Sequence, residues 1–137
     1  LFCLGRGPAF AISNEAALKF KETCQLHAES YSSAEVLHGP VSIAQEGFTV
    51  LALASNDASR KSVVESSQRM AKQGVDVFVT SSQDKDAKSL PVVRATHPIT
   101  DPLVQVITFY NFIEQLSGKL GLNPDEPPHL RKVTETV

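Results

Sequence analysis

Short apolar runs that alternate with helical segments constrain the fold of this 137-residue chain more than any other feature. We predict strands at Leu1–Leu4, Thr49–Ala54 and Val75–Thr80, where nearly every side chain is apolar or small. An amphipathic segment, residues 57–73, separates the second strand from the third and ends at Gly74. Nearly continuous apolar strands joined by helices are typical of parallel sheets covered on both faces. The sequence therefore predicts an α/β domain.

The remaining segments complete this alternation. We predict a helix over Ile12–Thr23, a short helix through Glu35 and Leu37, a fourth strand at Pro91–Thr96 and a helix from Asp101 to about Leu120. We expect Asp101 to cap the last helix and Pro102 to occupy its first position, where proline is favoured. The tail, residues 123–137, is rich in proline and is expected to be an extended arm. Because native chains seldom begin in a central strand, we expect a longer parent protein.

Composition excludes several classes of function. A formal net charge of −2 gives no basic surface for nucleic acid, and no apolar run approaches the roughly 20 residues that cross a bilayer. We therefore expect neither a nucleic-acid nor a membrane partner. The two cysteines, Cys3 and Cys24, form no CxxC and are predicted to be buried free thiols. Free thiols are typical of a reducing compartment, so the predicted location is cytoplasmic.

The span from Ala16 to Pro40 concentrates carboxylates, ammonium groups and imidazoles of the kind that acid–base catalysis uses. Glu15, Lys19 and Glu22 stand at i, i+4 and i+7, so they share one helical face. From spacing alone, a solvated salt-bridge face is the commoner explanation. The helix follows a glycine turn after the first strand, however, and open α/β sheets bind ligands at the carboxyl ends of their strands. We therefore predict that Glu22 is a base whose anionic product Lys19 stabilises.

Other candidate site residues have less support from their sequence context alone. His38 precedes Gly39–Pro40 in a predicted turn, where a side chain is free to point at a ligand, whereas His27 is expected to pack among apolar neighbours. Lys132 is a basic residue in a tail, although an extended arm can carry such a lysine into a cleft. Gly5-Arg6-Gly7 is not a dinucleotide fingerprint, because Phe10 replaces its third glycine, so no nicotinamide cofactor is expected.

Five segments together resemble a known family. They are LGRG at 4–7, EAALKFKE at 15–22, HAESY at 27–31, LHGP at 37–40 and PHLRKVTETV at 128–137. In their order and spacing the chain resembles a SIS (sugar isomerase) domain, the second of two in the isomerase half of glucosamine-6-phosphate synthase and in stand-alone deaminases and isomerases. The resemblance implies a three-layer α/β/α fold with a parallel, flavodoxin-like sheet over residues 1–122, followed by an arm at 123–137 that reaches the active site.

The resemblance also implies roles. Glu22 would move a proton between C1 and C2 of a sugar phosphate, and Lys19 would stabilise the enediolate or enolamine. His38 would open the sugar ring and reach the site of a neighbouring subunit in a homodimer. Lys132 would contact the open-chain carbonyl. No metal and no cofactor are expected, because the substrate's own carbonyl or imine stabilises the carbanion.

Two further residues, Arg131 and Glu29, are predicted to bind substrate. The family's phosphate loop, SxSGxT, is absent: Ala54-Ser55-Asn56-Asp57 has no glycine and carries a carboxylate that repels phosphate. We expect the phosphate site in the first SIS domain of the parent chain. The predicted reaction converts glucosamine 6-phosphate to fructose 6-phosphate and ammonia. The alternatives are the isomerase half of glutamine–fructose-6-phosphate aminotransferase and a SIS sensor that binds a sugar phosphate without turnover.

Overall fold

The sheet is parallel and five-stranded in this structure, a computed structural model that describes residues 1–81 and 86–129. The elements in chain order are β1 (Phe2–Gly5), α1 (Ala9–Cys24), β2 (Glu29–Ser32), two 3₁₀ turns (Glu35–His38 and Pro40–Ile43), β3 (Thr49–Ala52), α2 (Arg60–Ala71), β4 (Asp76–Val79), β5 (Lys88–Ser89) and α3 (Asp101–Lys119). All pairings are parallel, in the order β2-β1-β3-β4-β5. This is the flavodoxin-like order, which confirms the predicted fold class.

Each face of the sheet packs against its own layer of helices. Successive strand side chains point to opposite faces, so Phe2 and Leu4 enter one core and Cys3 enters the other. The first core is closed by α2, through Val63 and Met70. The second is closed by α1 and α3, whose apolar residues include Ala9, Ala16, Ala17, Phe20, Cys24, Phe109 and Ile113. Burial on both faces explains why β1 and β3 carry almost only apolar residues.

The structure corrects the predicted strands in two places. The strand predicted at Pro91–Thr96 is wrong: those residues form no strand, and the edge strand is Lys88–Ser89 instead. Proline has no N–H for the ladder, and Arg94 hydrogen-bonds carbonyl groups of other strand ends rather than pairing as a strand residue. The sequence did not predict β2, because Glu29–Ser32 is a polar, half-buried edge strand without an apolar run.

The prediction that both cysteines are buried free thiols is confirmed. Cys3 and Cys24 are both buried and unpaired. Burial raises the pKa of the Cys3 thiol to about 12, so this group is not a nucleophile near neutral pH.

No helix in residues 1–81 or 86–129 is both long enough and apolar enough to cross a membrane.

Gly5, at the end of β1, lets the first turn of α1 approach the strand closely. A Cβ at this position would lie 2.8 Å from the carbonyl carbon of Ala9 and 2.9 Å from Cα of Phe10, both of them backbone atoms. We therefore expect Gly5→Ala to lower the free energy of unfolding by about 1–3 kcal/mol. Gly118→Ala is the matched control, since a Cβ there meets nothing within 4 Å and a helix favours alanine. Urea unfolding measures both; equal effects would contradict the packing argument.

Candidate functional site

Three charged side chains of α1, those of Glu15, Lys19 and Glu22, lie close together at the boundary between the buried and the exposed face of the helix. Lys19 Nζ lies 2.5 Å from Glu22 Oε2 and 3.7 Å from Glu15 Oε1. The side chains of Lys19 and Glu22 are 28% and 25% exposed, so the pair is partly shielded but open to a ligand. The structure thus brings together the two residues that the sequence paired.

The carboxyl group of Glu22 stabilises the charged form of Lys19. The hydrogen bond to Glu22 raises the pKa of the Lys19 ammonium above 10.5, and this effect exceeds the opposing effect of partial burial. Attraction to both carboxylates adds to the rise. Lys19 therefore stays protonated at neutral pH, beside a carboxylate. An ammonium group fixed next to a carboxylate can stabilise an oxyanion while the carboxylate moves a proton.

A residue of α3 that the sequence did not single out belongs to this cluster. The Tyr110 hydroxyl donates a hydrogen bond of 2.8 Å to Glu15 Oε1. The two helices are held together by Phe20 of α1, whose ring centroid lies 5.6 Å from that of Phe109. The hydrogen bond to Glu15 raises the pKa of the Tyr110 phenol, so it remains a donor. A partner 95 residues away along the chain leaves no local signal in the sequence.

Glu22 does not lie at the carboxyl ends of the strands, and the positional argument for it is wrong. Because α1 starts after β1 and runs back across the sheet, Glu22 lies about 20 Å along the helix from its first residue, Ala9. The carbonyl of His27, just beyond the helix, accepts a hydrogen bond of 3.0 Å from the amino group of Leu1, which precedes β1. The charged cluster therefore lies toward the amino edge of the sheet.

Two predicted site residues lie on the other side of the sheet. Glu29 accepts a hydrogen bond from Tyr31, whose ring packs against Phe2 in the core beneath α2. His38 ends the first 3₁₀ turn and is exposed. Neither residue forms a hydrogen bond or ion pair with Glu22 within the described ranges. The structure therefore brings Lys19 and Glu22 together and separates them from Glu29 and His38.

The C-terminal segment passes beside the end of α1. A cleft of about 350 Å³ is lined by Lys21, Gln25, Leu26 and His27 on one side and by Pro128 and His129 on the other. The exposure of His27 corrects the expectation that it packs among apolar residues. Gln25 ends α1 in the left-handed conformation, φ 54°, and so turns the chain toward this cleft. The predicted residues Arg131 and Lys132 lie outside the described residues.

The domain's own strand-end crevice is occupied by a carboxylate. Asp57 Oδ1 accepts hydrogen bonds from the backbone N–H (2.6 Å) and the hydroxyl (2.5 Å) of Ser59. Asp57 Oδ2 is buried without a hydrogen-bond partner among the described residues and faces Gly7, the glycine of the first turn. A fixed negative charge at this point disfavours an anionic ligand, in keeping with the prediction that phosphate is bound elsewhere.

A buried polar network ties the ends of β3 and β4 to the start of α3. Asp101 is fully buried and accepts hydrogen bonds from the N–H groups of Asn56 (2.7 Å) and Ala95 (2.9 Å). It also receives Gln105 Nε2 at 2.8 Å and Arg94 Nη1 at 3.2 Å. Burial by itself raises the pKa of Asp101, but these donors together outweigh it and hold the pKa below 3.8. The network is structural, since its polar groups satisfy one another.

Elsewhere in the described residues, neither a large cavity nor a metal-ligand cluster offers a second candidate site. A cavity of about 480 Å³ lies between α3, β3 and residues 90–92 and is lined by apolar and uncharged polar side chains only. It has no cation to bind a phosphate. In residues 1–81 and 86–129, no group of three or more His, Cys, Asp or Glu residues is arranged to hold a metal ion.

A parallel 2-1-3-4-5 sheet with a lysine–glutamate ion pair on its first helix defines an α/β protein with a charged cluster outside its own strand-end crevice. The chain belongs to the SIS domain family, whose model matches residues 1–108. It is 35% identical, over 94% of its length, to glutamine–fructose-6-phosphate aminotransferase (isomerizing) from Caulobacter vibrioides. The chain spans about a fifth of the length of this relative, since the match covers 22% of it.

Solved structures agree with the family. A protein from Silicibacter pomeroyi DSS-3 assigned as a phosphosugar isomerase is 53% identical, with a TM-score of 0.86, over 90% of this chain and 38% of that one. The C-terminal domain of glucosamine–fructose-6-phosphate aminotransferase from Francisella tularensis is 25% identical, with a TM-score of 0.79, over 89% of this chain and 36% of that one. The chain is thus homologous to the SIS domain of the isomerase half, as the resemblance in its sequence implied.

Proposed function

We propose that this domain supplies the acid–base centre of an aldose–ketose isomerase that acts on an amino sugar phosphate. The single observation that carries the proposal is the contact between Lys19 and Glu22, in a partly shielded position on α1. In the proposed reaction, glucosamine 6-phosphate becomes fructose 6-phosphate and ammonia. The relatives named above act, by their names, on phosphosugars or fructose 6-phosphate, which supports this class of substrate.

The proposed steps use one base and one ammonium group. The Glu22 carboxylate removes the proton from C2 of the open-chain aldehyde, and the electron pair moves into the C1 carbonyl to give an enolamine. Lys19 stabilises the negative charge that develops on O1. Glu22 then returns the proton to C1, and a proton passes from the amino nitrogen to O1, which gives the 2-imine of fructose 6-phosphate. Water hydrolyses this imine to the ketone and ammonia, so the step needs no redox partner.

The arm is proposed to complete the site from the C-terminal side. Pro128 and His129 already line the cleft that contains Lys21, the neighbour of Glu22. Lys132 follows His129 by three residues, which extended chain spans in about 10 Å. Lys132 can therefore reach the end of α1, where we propose that it contacts the carbonyl carbon of the sugar. Arg131, beside it in the sequence, is proposed to bind the substrate.

His38 and Glu29 are proposed to act in a second copy of the chain. Both lie on the side of the sheet opposite to Glu22, so one copy cannot bring them to its own acid–base pair. A homodimer in which the His38 turn reaches the partner's Glu22 satisfies this geometry, and His38 then opens the ring. Asp57 in the strand-end crevice supports the further proposal that a first SIS domain of the parent chain binds the phosphate.

A second candidate function is the isomerase half of a glutamine-dependent aminotransferase, because the relative at 35% identity has that name. The same pair would then work in the direction of amino-sugar synthesis. A third candidate, a sensor that binds a sugar phosphate without turnover, does not need a protonated lysine held against a carboxylate. The Lys19–Glu22 contact therefore favours the two enzymes over the sensor.

The deciding experiment uses the full-length parent protein. It is incubated with glucosamine 6-phosphate, and ammonia and fructose 6-phosphate are followed over time. It is also incubated with fructose 6-phosphate, with and without glutamine, and glucosamine 6-phosphate is followed. Release of ammonia without glutamine supports the deaminase, and amino-sugar formation only with glutamine supports the aminotransferase. Saturable binding with no turnover in either direction would leave the sensor and exclude both enzymes.

A further inference from the structure

Tyr110 links α3 to the acid–base pair through an intermediate carboxylate. Its hydroxyl donates to Glu15 Oε1 at 2.8 Å, and the same oxygen lies 3.7 Å from Lys19 Nζ. Lys19 in turn lies 2.5 Å from Glu22 Oε2. The ammonium group thus stands between two carboxylates but forms a hydrogen bond with only one. The Glu15 oxygen near the ammonium group instead accepts the hydrogen bond from Tyr110.

We propose that Tyr110 is a positioning residue that keeps Lys19 on Glu22 by occupying Glu15. The phenol donates a hydrogen bond to the Glu15 oxygen that lies near the ammonium group of Lys19. That oxygen therefore has a donor without a hydrogen bond from Lys19. If the phenol is lost, Glu15 becomes an equal competitor for Lys19 and draws it away from Glu22.

This inference rests on the proposed function, because it matters for turnover only if Lys19 stabilises the oxyanion. We expect Tyr110→Phe to lower kcat about tenfold, which is the usual contribution of one hydrogen bond, and to leave KM within about twofold. Asn111→Ala is the matched control: it removes the exposed α3 side chain next to Tyr110, whose hydrogen bond among the described residues comes from Gln115 of the same helix. We expect that variant to keep the wild-type kcat.

A double-mutant cycle with Glu15→Gln separates positioning from packing. Glutamine keeps an oxygen that accepts from Tyr110 but has no charge with which to compete for Lys19. In the Glu15→Gln background, Tyr110→Phe should therefore cost no further activity. An equal loss of kcat in both backgrounds would mean that Tyr110 acts by packing α3, and the inference would be overturned.

A second readout does not depend on turnover. The ¹⁵Nζ resonance of Lys19 is recorded in protein labelled with [¹⁵N]lysine and is assigned by its loss in Lys19→Arg. We expect this resonance to shift in Tyr110→Phe, to stay in place in Asn111→Ala, and to show no Tyr110 effect in the Glu15→Gln background. An unmoved resonance in Tyr110→Phe overturns the inference even if the protein is an active isomerase. Absence of turnover in the wild type refutes the proposed function, while the resonance still decides the position of Lys19.

Discussion

Glu22→Gln is expected to abolish most of the turnover of glucosamine 6-phosphate while leaving the fold intact. General acid–base catalysis contributes about 10²–10⁴-fold to rate, and a glutamine side chain of almost the same shape cannot take up the C2 proton. We therefore expect kcat to fall at least about 100-fold. KM should change little, because the amide can still accept or donate hydrogen bonds. Initial rates of ammonia release give both constants.

The control for this substitution lies on α2. Glu65 pairs with Lys61 one helical turn away, Nζ to Oε1 3.8 Å, as Glu22 pairs with Lys19 on α1, but its side chain is 62% exposed and far from the proposed site. Glu65→Gln should leave kcat unchanged. Glu22→Asp keeps the carboxylate on a shorter side chain and should retain part of the activity. If the wild type turns over and Glu22→Gln matches it, the proton shuttle is another residue.

The main elements of the fold could be predicted because their signals are local. Burial makes most residues of β1, β3 and β4 apolar, and amphipathic spacing marks the helices between them. The elements at the sheet edges did not follow this rule. Glu29–Ser32 pairs with β1 by backbone hydrogen bonds that any sequence can form, and its half-buried residues give no apolar run. The two-residue strand at Lys88–Ser89 is too short to carry a pattern.

In the candidate site, too, local contacts could be predicted from the sequence and tertiary contacts could not. Lys19 and Glu22 are three residues apart on one helix, so spacing predicted their contact. The position of the pair relative to the sheet depends on the length and direction of α1, which the spacing does not encode. Tyr110 is brought to Glu15 by the packing of α3 on α1, and Arg94 is drawn from a predicted strand to Asp101 by burial. Such contacts follow from tertiary structure and had no motif to reveal them.

Asp101→Ala should destabilise the protein more than any other single substitution considered above. The carboxylate is fully buried at the first residue of α3 and accepts hydrogen bonds from four donors, which tie it to the segments that follow the strands. Removing it leaves N–H groups of Asn56 and Ala95 without their acceptors and Arg94 without its counter-charge. Loss of one partner of such a pair costs about 3–5 kcal/mol of unfolding free energy. Urea unfolding followed by circular dichroism at pH 7 measures it.

Two comparisons test whether charge burial at Asp101 is the cause. Asp76→Ala removes an exposed carboxylate, 2.7 Å from Lys88, and should cost at most about 1 kcal/mol. The second comparison is pH. Because the folded-state pKa of Asp101 is lowered, its stabilisation is present above the unfolded value near 3.8 and disappears as pH falls through the folded value. The gap between wild type and Asp101→Ala should therefore narrow below about pH 4. A gap that stays constant at low pH would show that the carboxylate's shape, and not its charge, holds the strand ends together.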